Sequence, residues 1–150
     1  MDKFLGYSHQ QYIKEEILIP LGLKNTFGSL HEVNIEDVMS DDYAGYEEDE
    51  KTDFTGLMIA TVEDVGIFTR ALNDGSVFKE EDQEIYSSVY VYKYTGLLVG
   101  YQSIAEYHED IDTVVIQFNN TTNFDRYDWN LAGIFYGRIE KIVQKRKREN

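Results

Sequence analysis

The residue types able to do chemistry are few in this chain and unevenly placed. Cysteine is absent, which removes disulfides, thiolate metal sites and cysteine nucleophiles together. Carboxylates crowd between Asp41 and Asp53: Asp41, Asp42, Glu47, Glu48, Asp49, Glu50 and Asp53 surround Gly45. A calcium loop needs its carboxylates at set spacings, with Gly at the sixth position and Glu at the twelfth. Setting Gly45 sixth puts Ser40 first and Ala44 fifth, and setting Gly56 sixth puts Lys51 first. Neither register works, so the run reads as a solvated acidic loop. His9, His31 and His108 lie far apart and none sits in an i, i+4 pair, so each reads as a surface residue. The run Lys145, Arg146, Lys147, Arg148 could touch an anionic surface, but cations also suit the last turn of a helix.

Charge decides between partners. The 150 residues carry 28 acidic and 14 basic side chains, a net charge of -14. From Arg138 to Asn150 there are six basic and two acidic residues, which leaves 8 against 26 in the rest, a balance of -18. An acidic body repels phosphate backbones, so nucleic acid is excluded as a general partner. No stretch approaches 18 uninterrupted apolar residues and "MDKFLGYSHQ" has no apolar leader, so neither a membrane span nor a signal peptide is expected. As encoded, the chain would stay where it is made. With 42% hydrophobic residues, 12 Tyr, 8 Phe and 1 Trp, a core can form, and the length suits one domain.

The elements that would position any site follow from periodicity. Ser8, with Gln11 three residues on, fits a capping box for a helix to about Ile19, with Tyr12, Ile13, Ile17 and Leu18 at helical spacing and Pro20 as its stop. Residues 21–56 read as a long surface excursion. Thr61 caps a second helix to about Asp74, with Val65, Phe68, Ala71 and Leu72 as its stripe and Gly75 as its end. Lys79 to Tyr86 suits a short helical piece. Ser88–Tyr94, Gly100–Tyr107 and Asp112–Asn120 are rich in aromatic and β-branched residues and read as strands, the last two as an antiparallel hairpin. A final helix runs from about Asp128 to Lys147, with Leu131, Ile134, Phe135, Ile139, Ile142 and Val143 on one face and a basic last turn.

Four strings, in order, resemble the carboxyl-terminal part of the β-lactamase-like serine hydrolases, the family of class C β-lactamases, D-alanyl-D-alanine carboxypeptidases and related esterases. "YIKEEILIPLGLKNT" (Tyr12 to Thr26) is similar to the helix ending in "PLGM…T", with Leu23 for the usual Met. "GLMIATVEDVGIFTRALNDG" (Gly56 to Gly75) resembles "GG…ST..D…F..ALL.GG", and "YTGLLVGYQS" (Tyr94 to Ser103) resembles "HTG..PGY.S". "DTVVIQFNNTTN" looks like the last strand with its terminal Asn. The resemblance covers nearly the whole chain and implies one partial α/β (α+β) domain over residues 1–150: an antiparallel sheet of about three strands, flanking helices and a long C-terminal helix.

It also implies a chemistry whose main parts are elsewhere. The family uses a Ser-x-x-Lys pair and a Tyr-x-Asn or Ser-x-Asn element ahead of the "PLGM" helix, and this sequence starts after that point. Its one Ser-x-x-Lys match, Ser76 and Lys79, follows a helix stop and reads as a surface turn. The resemblance places substrate contacts at Tyr94, Thr95, Gly96 and Asn119. Tyr94 stands where the family has Lys or His, which removes the fixed charge that would hold a substrate carboxylate. Lys93, by alternation, points to the other face. No catalytic residue, metal or cofactor is implied. The expectation is a serine-hydrolase fragment, inactive alone, that meets a small acyl or peptide substrate only with an amino-terminal half. It would associate with that half or with itself, because three strands leave an edge exposed. An upstream half would also carry any export signal. The alternative is a non-catalytic binding domain using the Tyr-rich strands or the acidic loop.

Overall fold

The structure, a computed structural model, describes residues 2–40, 42–43, 58–87, 93–98, 100–122 and 129–149. Along the chain come α1 (Asp2–Leu5), α2 (His9–Ile13), a π-helical turn (Lys14–Leu18), α3 (Ile19–Leu21), β1 (Thr26–Phe27) and two 3-10 turns (Leu30–Glu32, Ile35–Asp37). Then follow β2 (Asp42–Tyr43), β3 (Ile59–Ala60), α4 (Val62–Asp74), α5 (Glu80–Ser87), β4 (Lys93–Leu98), β5 (Tyr101–His108), a 3-10 turn (Glu109–Ile111), β6 (Thr113–Asn119), β7 (Thr121–Thr122) and α6 (Trp129–Arg148). Most of the acidic loop and the expected strand start at Ser88 lie outside the described residues. Two compact units form: Met1–Asp37 with Asp53–Tyr90, and Val38–Thr52 with Val91–Asn150.

In the first unit Ser8 caps α2, its hydroxyl accepting from Gln10 N rather than sharing a box with Gln11. The helix does not stop at Pro20. A proline ring clashes with the carbonyl four residues back, and the turn before it widens to i→i−5 bonding, with Ile19 N donating to Lys14 O. The chain therefore stays helical to Leu21 and ends at Gly22, whose φ of 69° is left-handed. β1 pairs antiparallel with β3, Thr26 opposite Ala60. Thr61 caps α4 by accepting from Asp64 N at 3.3 Å, and Gly75 ends it at φ 80°.

The second unit holds the antiparallel sheet β4-β5-β6. Gly100, at φ 79°, turns β4 into β5, and β5 and β6 form the expected hairpin through the turn at Glu109–Ile111. Cross-strand partners share a face. One face therefore carries the rows Lys93–Glu106–Val115, Thr95–Ile104–Gln117 and Leu97–Gln102–Asn119. The other carries Tyr94–Ala105–Ile116 and Gly96–Ser103–Phe118. α6 covers the first face, where Ile104, Val115 and Tyr136 form the buried cluster with Val143 against it. Burying Tyr136, 1% exposed, contributes roughly 2–3 kcal/mol.

Of the expected apolar stripe of α6, Val143 packs on the sheet cluster, and its other members are turned away from it. Ala132 and Tyr136 are buried and Val143 packs beside them, whereas Leu131, Ile134, Phe135, Ile139 and Ile142 are exposed. The helix carries two neighbouring apolar stripes. The larger side chains dominate a periodicity count, but Ala132 permits close approach and Tyr136 brings a hydroxyl that finds partners in the sheet.

Candidate functional site

Tyr94, Thr95 and Gly96 lie in the middle of β4 and all three are exposed. Among the described residues β4 pairs only with β5, so its outer edge offers backbone N–H and C=O groups to an extended ligand. Alternation divides the triplet: Tyr94 and Gly96 face away from α6, and Thr95 faces toward it. An added side chain at Gly96 would meet only the rotatable hydroxyl of Ser103. A Cβ there would stand 2.6 Å from Ser103 Oγ, its cross-strand partner. The seven-residue spacing of Gly96 and Ser103 in the "YTGLLVGYQS" string is thus a hairpin contact.

Asn119 is not brought to the triplet. It pairs with Gln102, which pairs with Leu97, so two strand spacings separate Asn119 from β4, or roughly 10 Å. Its Oδ1 accepts from Gln117 Nε2 at 3.4 Å. The neighbouring Asn120 donates from Nδ2 to Ser40 O at 2.9 Å.

Beneath the triplet, on the α6 side, lies a cluster the sequence reading missed. Lys93 Nζ sits 2.8 Å from Glu106 Oε2 and 4.6 Å from the centroid of the Tyr136 ring. The carboxylate oxygen is buried and the approach is off-axis for a hydrogen bond, but at this separation the charges attract regardless of angle. Tyr136 Oη lies 3.4 Å from both His108 Nε2 and Val115 O. Burial, then the neighbouring Glu106 charge and hydrogen bond, then Glu140, hold the Tyr136 phenol well above its ordinary value. His108 is buried, not a surface residue. The available signal was alternation along β5, which places His108 on the same face as Ile104. Lys93 points away from Tyr94's face, as alternation required.

The other candidates stay apart. Ser76 and Lys79 occupy the exposed turn between α4 and α5; Ser76 N donates to Asp74 Oδ1 at 2.9 Å, and Lys79 Nζ lies 3.9 Å from Glu16 Oε2. An open depression of about 460 Å³ beside Lys79, Glu80 and Glu81 belongs to that same charged surface. His9 and His31 are exposed. Among the described residues no group of three or more His, Asp or Glu is placed to hold a metal ion, and no helix is long and apolar enough to cross a membrane.

Two of the quoted strings grip one another. Asp64, 4% exposed, accepts from Asn25 N and Thr26 Oγ1, each at 2.8 Å. Thr26 closes the first string and Asp64 stands in the second. Gly100 of the third string donates its N–H to Thr122 Oγ1 of the fourth at 2.8 Å, and Thr122 is buried. The strings are thus joints of a scaffold. No family model and no curated protein matches the chain, but solved structures do. The D-amino acid amidase of Ochrobactrum anthropi SV3 complexed with L-phenylalanine superposes with a TM-score of 0.78 at 17% identity, over 99% of this chain and 53% of that one. Its complex with L-phenylalanine amide gives 0.75 at 18%, over 97% and 54%. This is the β-lactamase-like fold. A D-stereospecific amidohydrolase from Streptomyces sp. shares it at TM-score 0.58 and 16% identity, over 80% of this chain and 46% of its own. The chain therefore spans about half the length of the β-lactamase-like chains it matches, in agreement with the carboxyl-terminal part of that fold.

Proposed function

We propose that the chain is the carboxyl-terminal half of an amidohydrolase of the β-lactamase-like fold, acting by serine acyl transfer on small amides or esters of the D-amino-acid kind. The observation that carries this reading is coverage: nearly all of this chain superposes on only about half of each amidase. In this reading β4 supplies one wall of the cleft. Its outer edge aligns an extended acyl group, Tyr94 and Thr95 offer hydroxyls on opposite sides of that edge, and Gly96 leaves the strand surface beside Tyr94 clear. The tyrosine hydroxyl gives direction without fixed charge, which favours neutral amides over substrates anchored by a carboxylate. The nucleophile and its base come from an amino-terminal half, so the chain alone does not turn over substrate.

The test is covalent labelling with a fluorescent penicillin or fluorophosphonate, followed by hydrolysis assays on D-phenylalanine amide. No label on the chain alone is expected. Label and turnover gained on adding an amino-terminal half, and diminished by Tyr94→Phe or Thr95→Val, would support the assignment. Labelling of the isolated chain that disappears in Ser76→Ala would overturn it. An assembled pair that binds D-phenylalanine amide without hydrolysing it would point to a binding domain on the same scaffold.

A further inference from the structure

Lys93 and Glu106 are charged groups that the proposed cleft leaves unused, and both stand directly behind it. Alternation along β4 sends Tyr94 to the face away from α6 and its neighbour Lys93 to the face that α6 covers. There Lys93 lies opposite Glu106 of β5, with Nζ 2.8 Å from Oε2 and 4.6 Å from the centre of the Tyr136 ring. Tyr136 in turn places its hydroxyl 3.4 Å from His108 Nε2 of β5 and from Val115 O of β6. One α6 side chain thus meets all three strands, and it meets β4 through Lys93. We propose that Lys93 and Glu106, seated on the Tyr136 ring, are positioning residues that fix the height and twist of β4 from behind, and with them the aim of the edge that aligns the acyl group, an inference that rests on the hydrolase reading of that edge.

Stability is a poor reason for this pair. The two side chains are 45 and 22% exposed, and an ion pair so open to water is screened and adds little to folding. Glu106 Oε2 is itself buried with no aligned hydrogen-bond donor among the described residues, an arrangement that folding alone disfavours. What the pair supplies is direction. Carboxylate and ring face together define one place for the ammonium, and sliding β4 along β5 moves Lys93 off it. Tyr94 follows in the next position, so the same slide carries the triplet with it. Misplacing an aligned group by about 1 Å lowers a rate on the order of a hundredfold. A tie that is weak in folding is therefore strong at the cleft. The lysine charge, already matched by Glu106 behind the sheet, is not offered to a substrate carboxylate.

Steady-state kinetics of the chain assembled with an amino-terminal half, on D-phenylalanine amide, test the assignment. Lys93→Met and Glu106→Gln should each lower kcat about tenfold while KM moves by no more than about twofold. The double variant should fall no lower than the worse single one, because either change dissolves the same unit. Lys93→Arg should recover most of the rate, since a guanidinium also pairs with a carboxylate and stacks on a ring. Ala71→Gly, in the other compact unit, should lower the thermal midpoint at unchanged kcat. In the chain alone, the amide resonances of Thr95–Leu98 should shift in both single variants, and in the same directions. Unshifted resonances, an unchanged kcat in Lys93→Met, losses that multiply in the double variant or an equal loss in Ala71→Gly would overturn the proposal and leave the hydrolase reading standing. A parent pair without turnover would overturn the hydrolase reading and this inference with it.

Discussion

Gly22 and Gly96 respond to an added side chain for unrelated physical reasons, and substitution separates the two. Gly22 sits at φ 69° with nothing within 4 Å of an added Cβ, so Gly22→Ala costs only the left-handed backbone, about 1 kcal/mol. Gly96 has no left-handed φ, and an added Cβ would meet only Ser103 Oγ at 2.6 Å, so Gly96→Ala turns the serine hydroxyl to another rotamer at about 1 kcal/mol or less. Urea unfolding should show that Ser103→Gly recovers much of the second loss and none of the first. Tyr136 makes a different prediction, through pH. Its phenol is held above the ordinary 10.0, so the folded state retains a proton that the unfolded chain releases. The stabilisation is complete below pH 10 and falls as pH rises beyond it. Thermal midpoints should therefore drop less steeply above pH 10 in Tyr136→Phe than in the parent chain.

At the scale of elements, β4 pairs with β5 among the described residues, and Lys93 adds a tie to the α6 side, reaching Glu106 and the Tyr136 ring together. Lys93→Met keeps the stem and loses both attractions. Amide exchange along Thr95–Leu98 should quicken severalfold in that variant while β6 stays protected, and Lys93→Arg should restore it. Equal acceleration in all three strands would mean that Lys93 only adds general stability. The same elements explain which parts of the fold were legible in the sequence. Thr61, Gly75 and the β5–β6 hairpin were readable because caps, stops and alternation are local signals. The run through Pro20 was not, because the π-helical turn that admits the ring depends on bonding several residues earlier. The facing of α6 was not legible either: two adjacent stripes satisfy one periodicity, and only the sheet distinguishes them. At the candidate site Lys93's direction was readable from alternation, whereas the run of β4 through Thr95 and Gly96 to Leu98 was not, since the expected strand stopped at Tyr94. The distance from Asn119 to β4 was not, since it depends on which strand lies between them.

For the molecule as a whole, charge is the dominant long-range term. A net -14 on a chain of this size favours expansion, and the cations gathered in α6 relieve it only nearby. Raising ionic strength to about 0.15 M shortens the screening length to about 8 Å, so the unfolding midpoint should rise with added sodium chloride; a midpoint that falls would show that local ion pairs outweigh the net repulsion. The buried carboxylate of Asp64 has a consequence for descent. One side chain serves a backbone N–H and a hydroxyl that lie 39 and 38 residues away in the chain. Losing it removes both bonds, at about 1 kcal/mol each, since Asn25 is exposed and Thr26 half-buried and water replaces part of the loss. A lineage that replaces Asp64 must therefore replace Thr26 in the same step or soon after, so across related sequences positions 26 and 64 should be inherited as a couple and lost as one.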